Sequence, residues 1–160
     1  MRVNGADWHW ESVGVRHGIS ATSFNNHFQQ SEGFARLDLP WRWDFAQHWR
    51  VQTRLDASAG WLGGQGDDGF VGTLGPSLAI KHENFPIAFE TGSSATLLSR
   101  DHFGNTDFGV PFQFTSFVEL SADIGKRWGA GYRFQHMSNA GLGSDNPGLN
   151  MHMFSVWYRF

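Results

Sequence analysis

Apolar and polar residues alternate along most of this chain. From Trp49 to Trp61 the odd positions are Trp49, Val51, Thr53, Leu55, Ala57, Ala59 and Trp61. The even ones are Arg50, Gln52, Arg54, Asp56, Ser58 and Gly60. Successive strand side chains point to opposite faces, so this split predicts a β-strand with one greasy and one polar face. It is too long for the about 5–6 residues usual in soluble sheets, and it suits a tilted membrane-crossing strand of about 9–11 residues plus its ends. The same split recurs. Leu37, Leu39, Trp41 and Trp43 oppose Arg36, Asp38 and Arg42. Phe112, Phe114, Val118, Leu120 and Ile124 oppose Gln113, Thr115, Glu119 and Asp123, and Phe154, Val156, Tyr158 and Phe160 oppose Met153, Ser155, Trp157 and Arg159. Weaker versions cover residues 10–19, 70–81, 85–96 and 128–138, which makes eight strands.

The connections alternate as well. Segments 20–32, 62–69, 97–109 and 139–148 are long and rich in Gly, Asn, Asp and Ser, whereas 44–47, 82–84 and 125–127 are short. One rim of long loops and one of short turns predicts an all-β fold, an eight-stranded antiparallel up-and-down transmembrane β-barrel, with residues 1–160 forming one domain. A barrel of this size is filled by its own side chains. The polar-face set of Arg36, Asp38, Arg42, Arg50, Arg54, Asp56, Glu90, Glu119, Asp123, Arg133 and Arg159 mixes both signs and reads as an internal paired network. Alternation alone does not say which face is inside, and a soluble barrel with an apolar ligand cavity has the same period. Opposite charges at short spacing suit a closed interior. The aromatic-terminated stretch Val156-Trp157-Tyr158-Arg159-Phe160 resembles the terminal signal of bacterial outer-membrane proteins.

Composition supports the membrane reading. The chain has 17% charged and 16% aromatic residues, with 20 Gly, 8 Trp and 15 Phe, which is unusual for a soluble enzyme. A net charge of −3 without a Lys/Arg cluster argues against nucleic acid as a partner. No run approaches the about 18 apolar residues of a spanning helix. The first residues lack a charged-then-apolar leader, so an exported form is expected to have lost one. With no Cys, thiol nucleophiles, disulfides and Cys-ligated zinc are excluded.

Candidate chemistry collects at the end of the seventh strand. Residues 128–138 run toward the long-loop rim if both termini lie on the other one. The even set Trp128, Ala130, Tyr132, Phe134, His136 and Ser138 then faces lipid, which places His136 and Ser138 on the outer wall at headgroup depth. Asn150 shares the outward parity of Phe154 and Phe160 near the start of the returning strand. Opposed residues of a hairpin have Cβ atoms about 4.5–5.5 Å apart, so Asn150 is expected beside His136. A serine needs an adjacent base, and the base needs a third group to fix its tautomer; these residues supply the three types. Polar decoration of the interface is the plainer reading. Asp67, Asp68, Asp101 and Asp107 are expected in exterior loops as solvated acids, although such a set is also able to hold a divalent ion. Glu119 and Asp123 fall inside and read as structural. His152 reads as interfacial, and Asp145, the nearest acid in sequence, lies in the loop. Neither HExxH nor GxSxG occurs, and Gly92-Ser93-Ser94 falls in a strand.

The stretch Tyr132–Phe160, YRFQHMSNAGLGSDNPGLNMHMFSVWYRF, resembles the C-terminal signature of the lipid A 3-O-deacylase family (PagL): HxSNAGL, then a loop and a last strand. FGVPFQFTSFVELSADIG resembles that family's sixth strand, and earlier strands agree in pattern and length. The resemblance implies a bacterial outer-membrane barrel with its active site on the lipid-facing wall. Its partners would be lipid A or lipopolysaccharide and outer-membrane lipids, with homodimer formation left open. The implied reaction hydrolyses the ester of the 3-hydroxyacyl chain at position 3 of the lipid A glucosamine, without a metal or other cofactor. Carried over, Ser138 is the nucleophile, His136 the general base, and Asn139 with the Gly141 N–H the oxyanion-hole donors. Tyr132, Phe134 and Phe154 are expected to form the acyl-chain wall. One position departs: where the family pattern has Glu, this chain has Asn150, which accepts a hydrogen bond but brings no charge. The alternative to a deacylase is a catalytically impaired or non-catalytic lipid-binding or structural barrel.

Overall fold

The computed structural model describes residues 2–5, 7–21, 27–45 and 48–160, the first group by backbone alone. Eight long antiparallel strands close into a barrel: β1 His9–Ser20, β2 Phe28–Phe45, β3 Trp49–Gly64, β4 Asp67–His82, β5 Ile87–Leu98, β6 Phe112–Ile124, β7 Trp128–Ser138 and β8 Leu149–Arg159. Each pairs with its chain neighbours, and β8 closes the ring on β1 through the Phe154–His17 and Val156–Val15 pairs. The expected fold class, strand number and connectivity hold, and β6 and β7 have the expected bounds.

Three local expectations are corrected. Segment 62–69 is not a long loop. β3 and β4 run on to a two-residue turn at Gln65 (φ 55°) and Gly66 (φ 89°). Positive φ at both turn positions matches the twist of the flanking strands, so two residues suffice to reverse the chain. The connection expected over 20–32 shrinks to 21–27, of which 22–26 lie outside the described residues, as do 46 and 47 of the expected 44–47 turn. The third correction is an added element: a short strand, Arg2–Gly5, pairs with Trp41–Asp44. Pro40 lacks an N–H for the ladder, and the β2–β3 register shifts between Asp38 and Arg42.

The mid-barrel interior is ionic. Arg16 faces Glu32, Arg36 faces Asp56 and Arg133 faces Glu119 as direct cross-strand pairs. Bonds across the lumen join these pairs: Arg36 to Glu119 at 2.6 Å, and Arg16 and Arg133 each to Asp56 at 3.3 Å. Phe34 lies under both Arg16 and Arg36, with guanidinium carbons 4.5 and 4.7 Å from its ring centre. Arg42 and Arg50, expected inside, are part-exposed rim residues that pair with Asp44.

Toward the rim where β7 ends and β8 begins, the lumen turns apolar, although the polar face was expected to fill it throughout. Leu62, Val71, Leu98, Met137, Leu149 and Met151 pack there around Phe28. The 99–111 connection folds over this end and inserts Phe103 and Phe108, each edge-on to Phe28 at 5.8 Å. Most of the outside is apolar: Val13, Val15, Leu74, Leu78, Val118, Leu120 and Val156 form its band. Trp8, Trp10, Trp41, Trp49, Trp128 and Phe160 are exposed on the terminal side, and Trp61, Phe70 and Phe112 on the other. Charges inside and an aromatic-edged apolar band outside are the arrangement of a barrel solvated by lipid, the inverse of a soluble one.

Candidate active site

His136 points outward from β7 and stands directly opposite Asn150 on β8 and Ser116 on β6. Its Nδ1–H donates to Asn150 Oδ1 at 2.7 Å. This bond fixes the neutral tautomer with Nε2 free to accept a proton. The pairing expected from strand parity is therefore present.

Ser138 lies two residues further on the same face, a step of about 6.6 Å along a strand. A glycine flanks the imidazole. Gly148 sits one residue before Leu149, which pairs with Met137, so it comes level with Ser138 across the hairpin. The ring lies against it: a Cβ built on Gly148 would stand 3.0 Å from His136 Cε1 and 3.7 Å from Nε2. The imidazole is thus held at Nδ1 by Asn150 and lies with its Cε1–Nε2 edge against Gly148. Gly148 also has φ +66°, which disfavours any larger residue there.

The chain leaves Ser138 through a tight loop in which Ala140 (φ 53°) and Gly141 (φ 82°) are both left-handed. Asn139 is fully buried and holds this loop together. Its side-chain NH₂ donates to the carbonyls of Phe108 at 2.9 Å and Asp145 at 2.6 Å, while its Oδ1 accepts the Gly141 N–H at 2.8 Å. The two groups expected to donate to an oxyanion are therefore engaged with each other and with the loop. The bond to Phe108 ties the loop after Ser138 to the apolar plug, a link the sequence did not signal.

A groove of about 730 Å³ runs around the outer wall away from His136, on the side opposite Asn150. Phe134 and His136 lie at its head, Ser116, Ser93 and Gly92 on its floor, and Leu78 and Trp41 further along. Of the expected acyl wall only Phe134 lines it. Tyr132 and Phe154 pack on each other toward β8, with ring centres 5.4 Å apart, and the Tyr132 hydroxyl is hydrogen-bonded to His152 Nδ1 at 2.6 Å.

Two other clusters bear on function. His17 Nδ1 and Ser31 Oγ are 2.8 Å apart on the outer wall between β1 and β2, a Ser–His pair missed because Ser31 fell in an expected loop. Both residues lie within regular strands, without the loop amides that follow Ser138. At the plug, exposed His102 is clasped by Asp101 at 2.7 Å and Asp107 at 3.0 Å. The hydrogen bond with Asp101 raises the His102 pKa and lowers that of Asp101. Asp67 and Asp68 open β4 instead of lying in a loop, and Asp67 accepts from Arg100 and the Gly104 N–H.

The sequence model of the family described as "Lipid A 3-O-deacylase (PagL)" matches residues 30–159. The lipid A deacylase PagL of Bordetella bronchiseptica is 27% identical over 154 residues, covering 92% of this chain and 83% of that protein. The crystal structure of the outer membrane enzyme PagL superposes with a TM-score of 0.77 at 17% identity, covering 91% of this chain and 97% of the other.

Proposed function

Because the chain belongs to the lipid A 3-O-deacylase family, we propose that it resides in a bacterial outer membrane and hydrolyses the 3-O-acyl ester of lipid A as a serine hydrolase on its lipid-facing wall. The His136–Asn150 hydrogen bond of 2.7 Å, with Ser138 two residues on along the same outward face, carries this reading.

Ser138 Oγ attacks the ester carbonyl carbon while its proton passes to His136 Nε2. The carbonyl oxygen becomes an oxyanion, and collapse breaks the bond to glucosamine O3, which takes the proton from His136. Water, deprotonated by the same nitrogen, then cleaves the acyl-serine and releases the 3-hydroxy fatty acid. Donors for the oxyanion come from the Asn139–Gly141 segment. There the Gly141 N–H exchanges its bond to Asn139 Oδ1 for one to substrate. No step requires a metal.

Asn150 sets the pace. A carboxamide oxygen holds the tautomer as a carboxylate does but adds no charge to stabilise the imidazolium. The second reading is a barrel that binds lipid A without turning it over. Mass spectrometry of lipid A from cells exporting this chain separates the two. The deacylase removes one 3-hydroxyacyl mass, and Ser138→Ala abolishes that loss. Unchanged lipid A in cells whose outer membrane holds the folded barrel overturns it in favour of lipid binding.

A further inference from the structure

The groove contains one pair of facing hydroxyls that the reaction as described does not use. On β6 the outward residues Phe112, Phe114, Val118 and Leu120 are interrupted by Ser116. On β5 the outward residues Ile87, Phe89, Ala95 and Leu97 are interrupted by Ser93, with Thr91 beside it. Thr91 spends its hydroxyl on the Phe117 carbonyl at 2.9 Å. Ser116 and Ser93 face each other in direct register, their Oγ atoms 3.2 Å apart, and Ser116 also faces His136. A row of three polar side chains thus runs His136–Ser116–Ser93 across three strands of an otherwise greasy wall.

Hydroxyls facing hydrocarbon are costly unless hydrogen-bonded. The serine pair spends one of its two O–H groups on itself and keeps the second, with lone pairs to spare, for a partner in the groove. That partner is also an acyl chain, because the groove begins at His136. Asn150 closes the β8 side of the imidazole, so an ester carbonyl held at Ser138 directs its chain over the β6 side, along the row. The group that meets the row is then the one borne by the first carbons beyond the carbonyl.

We propose that Ser116 and Ser93 read a hydroxyl on the acyl chain close to its ester carbonyl, selecting hydroxyacyl over plain acyl esters; this rests on the deacylase reading above. The fatty tail contributes little discrimination, since it leaves one apolar phase for another. A hydrogen bond to the chain's hydroxyl is the contact that separates otherwise identical tails.

The test uses the purified barrel in mixed micelles with two glucosamine esters, one 3-hydroxytetradecanoyl and one tetradecanoyl. The wild type is expected to favour the hydroxyacyl ester in kcat/KM by about tenfold, the value of one net hydrogen bond. Ser93→Ala combined with Ser116→Ala brings the ratio close to one, and Ser116→Thr, which keeps the hydroxyl, preserves it. A double variant that keeps the wild-type ratio overturns the proposal, as does a wild type without preference. A wild type that cleaves neither ester overturns the deacylase reading and this proposal with it, an outcome distinct from the other two.

Discussion

The charged cluster inside the barrel and the polar cluster on its outer wall both sit in surroundings of low dielectric constant, and they meet that condition in opposite ways. Inside, Arg16, Arg36 and Arg133 are balanced by Glu32, Asp56 and Glu119, each held by a neighbour on the next strand and most also by a partner across the lumen. Outside, His136 has one fixed bond, to Asn150, and its Cε1–Nε2 edge lies against Gly148. A densely paired charge network is rigid and inert, while a base with one side fixed and the other open, the role we propose for His136, is ready to move a proton. Alternation of side chains lets one pair of strands serve both. On β7, Arg133 and Gln135 point into the packed lumen while Phe134 and His136 point out.

The contrast is broken most severely from the inside. Glu119→Leu removes the shortest acceptors of buried Arg36 and Arg133 and is expected to destabilise the barrel by about 3–5 kcal/mol, read from its urea unfolding midpoint in lipid vesicles. Ser138→Ala is expected to move that midpoint by less than about 0.5 kcal/mol. Equal shifts in the two variants would sink the distinction.

Gly148→Ala sharpens it from the outer side. The added methyl meets His136 Cε1 at 3.0 Å and displaces the ring, so deacylation is expected to fall about 10- to 100-fold in a barrel that still folds. Unchanged turnover would show that the position of the ring is immaterial. Asn150→Glu works in the other direction. A charge-assisted bond to the imidazolium is about twice as strong as a neutral one, and fatty-acid release is expected to rise about tenfold.

The smallest effect lies in the plug. The fold raises the His102 pKa, mainly through Asp101, so the clasp on the 99–111 connection is complete below the ordinary histidine value of about 6.5 and weakens as pH climbs through the raised one. Amide hydrogen exchange in that connection is expected to show extra opening above this range beyond the intrinsic pH dependence of exchange, and His102→Gln to remove the extra step.

Strand identity and the face of each side chain depend on a period of two. They were therefore legible wherever alternation was clean, as from Trp49 to Trp61 or Phe112 to Ile124. The same rule placed His136 and Ser138 on one face and brought Asn150 opposite His136, because a hairpin's register follows from its own two strands. Other features depended on residues far apart in the chain. Glu32 fell in the connection expected over 20–32, which left Arg16 on the weakly patterned 10–19 strand without a visible partner. Arg36 meets Glu119 across 83 positions. The Phe103–Phe108 plug and its bond to Asn139 appear only once the loop has folded over the rim. The groove and its Ser116–Ser93 pair exist only when strands from separate hairpins lie side by side. Local sequence thus determined which face each residue takes, because that is a property of one strand's backbone. Barrel closure decided what each residue meets there, because shared register across strands is the only thing that makes distant residues neighbours.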